Sequence, residues 1–292
     1  MSTTSTPGGY VNPDRVLLWE NTRREVRERL KSGRLKAAMV PTGSTEQHNE
    51  HMALSTDFSL ATLISQEAAL RLYPQAIVST PCPVGYSPYH MARKGTLTLR
   101  KETFLAYVYD VVESLAAHGF ETVLIVNGHG GNDQLLLDAV PEWRESLGIT
   151  LDTQSYYRVY TDEELSEYVA THREYRAGVG HAGEFETSLM MAAFPQGVRR
   201  MTMREYDEAG LDYEGGFSPG VQEYYRYAFG DDYAERIKGS ANAGDRRSEE
   251  AALRATTENG AVLLSIAIDG IARRVQAMID ATDAGRSWPS KA

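Results

Sequence analysis

The sequence has little cysteine: one residue, Cys82, in a chain of 292. A single cysteine excludes any intrachain disulfide, and a reducing, cytoplasmic location is the expectation. Long apolar runs are missing too. None reaches the roughly 20 residues that span a bilayer, so no membrane partner is expected. The first residues, MSTTSTPGGYVNPD, hold no charged segment followed by an apolar one and so lack the features of a signal peptide. Their Ser, Thr, Gly and Pro read as a flexible arm over 1–14. Basic charge is outweighed: 30 Lys and Arg against 40 Asp and Glu leave a net charge of -10. That argues against nucleic acid as a partner, since nucleic acid recruits basic patches. There is no internal repeat.

What is present is an alternation of apolar runs and amphipathic stretches. Leu18, Val26 and Leu30 share one side of a helix over 18–32 that stops at Gly33. The run LKAAMV (35–40) reads as a buried strand ending at Pro41. A helix is expected over 58–72, capped by Asp57 or Ser59. Strands are expected from 76, over 96–100 (TLTLR), from 122 and over 149–157, with helices over 102–117 and after Asn132. Strand and helix in turn predict an α/β protein with a mainly parallel sheet covered on both faces. Residues 203–250, rich in Tyr, Gly and acidic side chains, read as an excursion too short to bury a core of their own. The tyrosines of 213–233 suit packing or a subunit contact. A last helix is expected from Ser248 to Ala281.

In parallel sheets ligands sit beyond the carboxyl ends of the strands. Two chemistry-rich segments fall there. In PTGSTEQHNEHMALSTD (41–57), Glu46 and His48 are two apart in extended chain and face the same way. With Asp57 they suit Zn, Mn or Fe; the alternative is a solvated polar loop. In NGHGGN (127–132) a strand delivers His129 to a glycine turn held by Asn127 and Asn132. A glycine-rich anion loop before a helix is the other reading, though it leaves His129 unexplained. A third segment, GHAGEFETS (180–188), puts Glu186 near the start of an apolar helix, where it either meets a metal or complements the helix dipole. His90 reads as a structural histidine within reach of the same rim, His118 as a helix C-terminal residue, His172 as a surface residue and Cys82 as a small core residue.

Taken together, PTGSTEQHNEHMALSTD, SPYHMARKGTLTL, VNGHGGN and HAGEFETS resemble, in order and approximate spacing, the creatininase (creatinine amidohydrolase) family. The resemblance runs over about residues 35–195. It implies a three-layer α/β/α sandwich forming one catalytic domain over 15–285, often a homo-oligomer and commonly a hexamer. It implies two divalent metal ions per chain and hydrolysis of a small-molecule amide C–N bond by a water activated between them. Glu46 and His129 would hold one metal, His48 the other, Asp57 both, and Glu186 would supply the remaining carboxylate. His181 would shuttle a proton to the leaving nitrogen, with Glu184 as a second acid–base candidate. Asn127 or the amides of the turn at Gly130 would face the oxyanion, and His90 would border the substrate. His51 would stand behind the ligands.

Departures from the family pattern narrow the reading. Creatininase proper carries Tyr and Glu after the turn histidine, where this chain has Gly130 and Gly131. One metal-binding carboxylate is therefore missing, and more falls on Glu186. A tryptophan before the HAG segment is replaced near Ala177, and Lys94 stands where proline is usual. The HGGN form resembles branches that act as deformylases or on peptide-like substrates, so creatinine itself is not the expected substrate. Two alternatives stand beside the amidohydrolase: a metal-dependent deformylase that releases formate, and a metal-binding or scaffold protein without turnover.

Overall fold

The computed structural model describes residues 15–160, 180–209, 217–234 and 241–288. The expected N-terminal arm, His172 and Ala177 lie outside the described residues. Four apolar runs form strands β1 (Ala37–Thr42), β2 (Ala76–Val78), β3 (Thr122–Asn127) and β4 (Thr150–Ser155). They pair in the order β2-β1-β3-β4, all parallel. The register aligns Thr42 with Asn127 and Asn127 with Ser155, so three polar residues end their strands at one level.

Nine helices of four or more turn-forming residues are described: α1 (Arg23–Lys31), α2 (Thr56–Arg71), α3 (Lys101–Ala117), α4 (Gly130–Leu147), α5 (Glu184–Ala193), α6 (Met203–Ala209), α7 (Pro219–Phe229), α8 (Ala241–Ala252) and α9 (Thr257–Asp283). Alternation along the strands decides which helices cover which face. Met39, Leu124 and Val126 join one apolar cluster with Leu60 and Ile64 of α2, Leu189 of α5 and Ile271 of α9. Ala38, Val40, Val123 and Ile125 join another with Phe104 and Val108 of α3 and Leu136 and Val140 of α4. The sheet is thus the middle layer of a three-layer α/β/α sandwich. Among the described residues no helix is long and apolar enough to cross a membrane.

Three expectations about elements need correction. TLTLR is not a strand. Leu97 N–H donates to the carbonyl of Thr45, and Leu99 N–H to that of Gly85. Its amides tie down two different loops, and only Leu97 forms a bridge. The 58–72 helix begins at Thr56, so Asp57 lies inside its first turn and caps nothing; the N-cap is Ser55, with no side-chain hydrogen bond. The single helix from Ser248 to Ala281 is two helices, α8 and α9. Thr256 is extended there, and its hydroxyl accepts the Asn259 N–H at 3.1 Å, which starts a new helix. Within 203–250, Tyr225 of α7 is buried, and its hydroxyl donates to the Tyr89 carbonyl at 3.2 Å.

Candidate metal centre

Four elements converge at the carboxyl edge of the sheet. The loop after β1 carries Glu46 and His48. The first turn of α2 carries Asp57. The turn between β3 and α4 carries His129, and the first turn of α5 carries Glu186. All five side chains are buried. The turns meet through backbone: a Cβ on Gly128 would lie 2.3 Å from the Asp57 carbonyl oxygen, so only glycine lets the β3 turn approach α2 this closely. Asn127 holds that turn. Its amide donates to the His129 carbonyl and to Asp133 at 2.7 Å each, and its oxygen accepts from Thr42, the His129 N–H and Asn132.

The geometry has two halves joined at Asp57. Oδ1 of Asp57 lies 3.0 Å from His48 Nε2, and Oδ2 lies 3.0 Å from His129 Nδ1. Glu186 Oε2 is 3.7 Å from His48 Nε2, and Glu46 Oε2 is 3.2 Å from His129 Nδ1. The outer nitrogen of each ring faces a backbone carbonyl: His48 Nδ1 is 3.1 Å from the oxygen of Glu46, and His129 Nε2 is 3.1 Å from that of Tyr86. Carbonyls only accept, so these nitrogens carry protons, and the inner nitrogens are the ones that can offer a lone pair to a metal. Histidines that bind metal are oriented in this way. His48 Nε2 and Asp57 Oδ2 are buried without a hydrogen-bond partner, one in each half of the site, which suits a cation beside each. The two glutamate oxygens that face the imidazoles are also held by the protein. Ser87 donates to Glu46 Oε2 at 2.5 Å, and the Ala182 N–H donates to Glu186 Oε2 at 2.6 Å from a left-handed backbone (φ 54).

The electrostatics call for positive charge. Burial alone would lower His48, but the Asp57 carboxylate, with Glu186 and Glu46, outweighs it and pushes the ring up to about 10. His129 is likewise raised against burial, by Glu46 first. Glu46 is held well below the usual carboxylate range: burial opposes this, and His129, with His90 and His181, overcomes it. Glu186 is pushed up to about 7 by burial. Three carboxylates in one buried cluster thus recruit protons onto the imidazoles, a demand that divalent cations meet with the same ligand atoms.

A cavity of about 670 Å³ opens over this cluster. Glu46, Asp57, His129 and Glu186 line it, and so do His90, His181 and Gly130. Asn127 and Glu184 do not. Asn127 is fully buried in the turn, and Glu184 faces Arg254 at 3.3 Å. His51 stands behind the site with Nε2 2.8 Å from the Thr187 hydroxyl. Sequence reasoning missed Ser87, Gln47 and Tyr89. The Tyr89 hydroxyl lies 3.0 Å from His129 Nε2, in the space that a side chain at position 131 would need: a Cβ on Gly131 would come within 1.9 Å of it. The two-glycine turn thereby makes room for Tyr89; the adjacency of Tyr89 to His90 was the one sequence clue.

Over residues 19–275 the chain matches the creatininase (creatinine amidohydrolase) family. The chain belongs to this family. It is 28% identical over 191 residues to the creatinine amidohydrolase of Pseudomonas putida, covering 62% of this chain and 72% of that one. It is 27% identical over 207 residues to the 3-dehydro-scyllo-inosose hydrolase of Thermotoga maritima, covering 70% of this chain. That match spans 64% of the relative's length. Among solved structures, a manganese form of creatininase superposes with a TM-score of 0.67 at 26% identity, over 90% of this chain and 98% of that one. Creatininase thus supplies both the fold and a precedent for a divalent ion.

Proposed function

We propose that this protein is a hydrolase that cleaves the C–N amide bond of a small molecule with two divalent ions. Glu46, Asp57 and His129 would hold one ion, and His48, Asp57 and Glu186 the other. The observation that carries this reading is Asp57, whose two oxygens each lie 3.0 Å from an imidazole nitrogen whose far side is pinned to a carbonyl. An ion pair held there supplies Lewis acidity and brings the pKa of water toward neutrality.

The chain's own groups do the rest. His90, Gly130 and His181 border the substrate in the cavity, and His181 handles the proton destined for the leaving nitrogen. Glu184 is spent on Arg254 outside the cavity lining, which leaves the acid–base work to His181. Asn127 acts through the turn that presents His129 and the amides of Gly130 and Gly131. Residues 15–285 act as one catalytic domain, assembled as a homo-oligomer.

Elemental mass spectrometry of native protein and of Asp57→Ala tests the reading. About two ions per chain in native protein and their loss in the variant are expected. Folded native protein that stays metal-free when offered Zn, Mn or Fe would sink it. A panel of amides and formamides then separates the chemistry: formate release from formamides marks a deformylase, and bound metal with no turnover marks a binding protein.

A further inference from the structure

Gln47 sits between two of the proposed ligands, is 4% exposed, and points at neither ion position. Its Nε2 lies 2.9 Å from His90 Nδ1 and 2.9 Å from His181 Nε2. Its Oε1 accepts the backbone N–H of Asn49 at 2.9 Å. A backbone N–H only donates, so this contact settles which end of the amide is oxygen. Asn49 adopts a left-handed conformation (φ 50), which asparagine tolerates better than most residues and which aims its N–H at Gln47.

The consequence is chemical. An amide NH₂ group has two protons and no lone pair to offer, so both ring nitrogens it touches must be acceptors. A doubly protonated imidazole has no acceptor, so both rings are neutral while these bonds hold. Each neutral ring then carries its one proton on the other nitrogen. For His181 that is Nδ1, and for His90 it is Nε2. These two atoms lie 3.5 Å and 3.6 Å from the same carboxylate oxygen, Glu46 Oε1. The rings stack with centroids 4.5 Å apart.

We propose that Gln47 is a positioning residue that locks His181 as the Nδ1–H tautomer and His90 as the Nε2–H tautomer, so that both rings turn a donor toward Glu46. This rests on the hydrolase reading only for its use in catalysis; the tautomers follow from the amide geometry itself. Two results come from it. Glu46, His90 and His181 have donor atoms within 4.8 Å of one another and would pass for a third cation site. With N–H on both rings they are not one. Further, any proton that His181 takes up must enter at Nε2, the atom bonded to Gln47, so Gln47 must let go of the ring whenever His181 becomes an imidazolium.

Long-range proton–nitrogen NMR of the imidazoles tests this on Zn-loaded, nitrogen-15-labelled protein. The chain has seven histidines, and His90→Gln and His181→Gln spectra assign the two signals. The expected native pattern is opposite tautomers for the two rings. Gln47→Glu replaces the donor by a carboxylate that only accepts, so both patterns are expected to invert or to become doubly protonated. Gln47→Met, which removes the donor at similar size, is expected to free both rings from the lock and to show tautomer mixtures. Native His181 protonated at Nε2, or patterns unchanged in both folded variants, would overturn the proposal. Metal content measured on the same samples separates its failure from failure of the metal-site reading.

Discussion

Gly128→Ala is the sharpest test of how the centre is built. A Cβ at this position would lie 2.3 Å from the carbonyl oxygen of Asp57 and 3.0 Å from its carbonyl carbon. Neither atom can swing aside, because both are backbone in the first turn of α2. Contacts below 3.0 Å are essentially never seen, so the β3 turn and α2 must separate by about 0.7 Å. Overpacking of this kind costs about 1–3 kcal/mol. The displaced residue is the one shared by both halves of the site, so the same shift should weaken both ions together. Errors of about 1 Å in such positions cost on the order of a hundredfold in rate. The assay is urea unfolding with metal analysis on the same sample. Gly220→Ala is the control, since nothing lies within 4 Å of a Cβ there. It should be neutral, or stabilising by up to about 1 kcal/mol. Gly128→Ala protein as stable as native, with its metal content intact, would refute the close approach of the β3 turn to Asp57.

Three further outcomes are expected. Glu46→Ala should weaken the ion on the His129 side and Glu186→Ala the ion on the His48 side, each leaving about one ion per chain by elemental analysis; loss of both ions in each variant would show that the halves do not fill separately. Gly131→Ala should cost about 1–3 kcal/mol because its Cβ runs into the Tyr89 hydroxyl, and Tyr89→Phe should restore part of it. A double-mutant cycle should give a coupling of at least about 0.5 kcal/mol, and purely additive costs would count against the contact. Burial, with the charge of His48, pushes His51 down to about 4 from its ordinary 6.5. A histidine lowered in the folded state adds stability above its unfolded value and loses it as pH falls, so unfolding free energy should decline between pH 6.5 and 4. This residue contributes at most about 1.4 kcal/mol per pH unit to that slope. Replacing it in His51→Gln should flatten the decline, and equal slopes in the two proteins would remove His51 as its source.

The sheet and the clustering of Glu46, His48 and Asp57 were legible in the sequence for one reason: both depend on short-range period. Apolar runs of four to six residues ending at Pro41 and Gly128 marked β1 and β3, and the two-residue spacing of Glu46 and His48 put both side chains toward Asp57. The same period hid Gln47. Strict alternation sends it to the opposite side of the chain, and only the approach of His90 and His181, 43 and 134 residues away, gives its amide a role. Tyr89 was hidden in the same way, because its value lies in the space beside Gly131. TLTLR misled because alternation reports what a segment's side chains face, while strand formation depends on where its amides go, and these go to two loops. The break before α9 was missed because the residues that make it, Thr256 and Asn259, act as a cap only once Ser188 takes the Thr256 N–H at 3.2 Å. Local pattern therefore finds the side chains that converge on the candidate site, and tertiary contact supplies the atoms that aim them. The centre works only if both are right. An imidazole at the correct spacing whose far nitrogen lacked the Tyr86 or Glu46 carbonyl would be free to turn its proton inward, toward the position where the cation is needed.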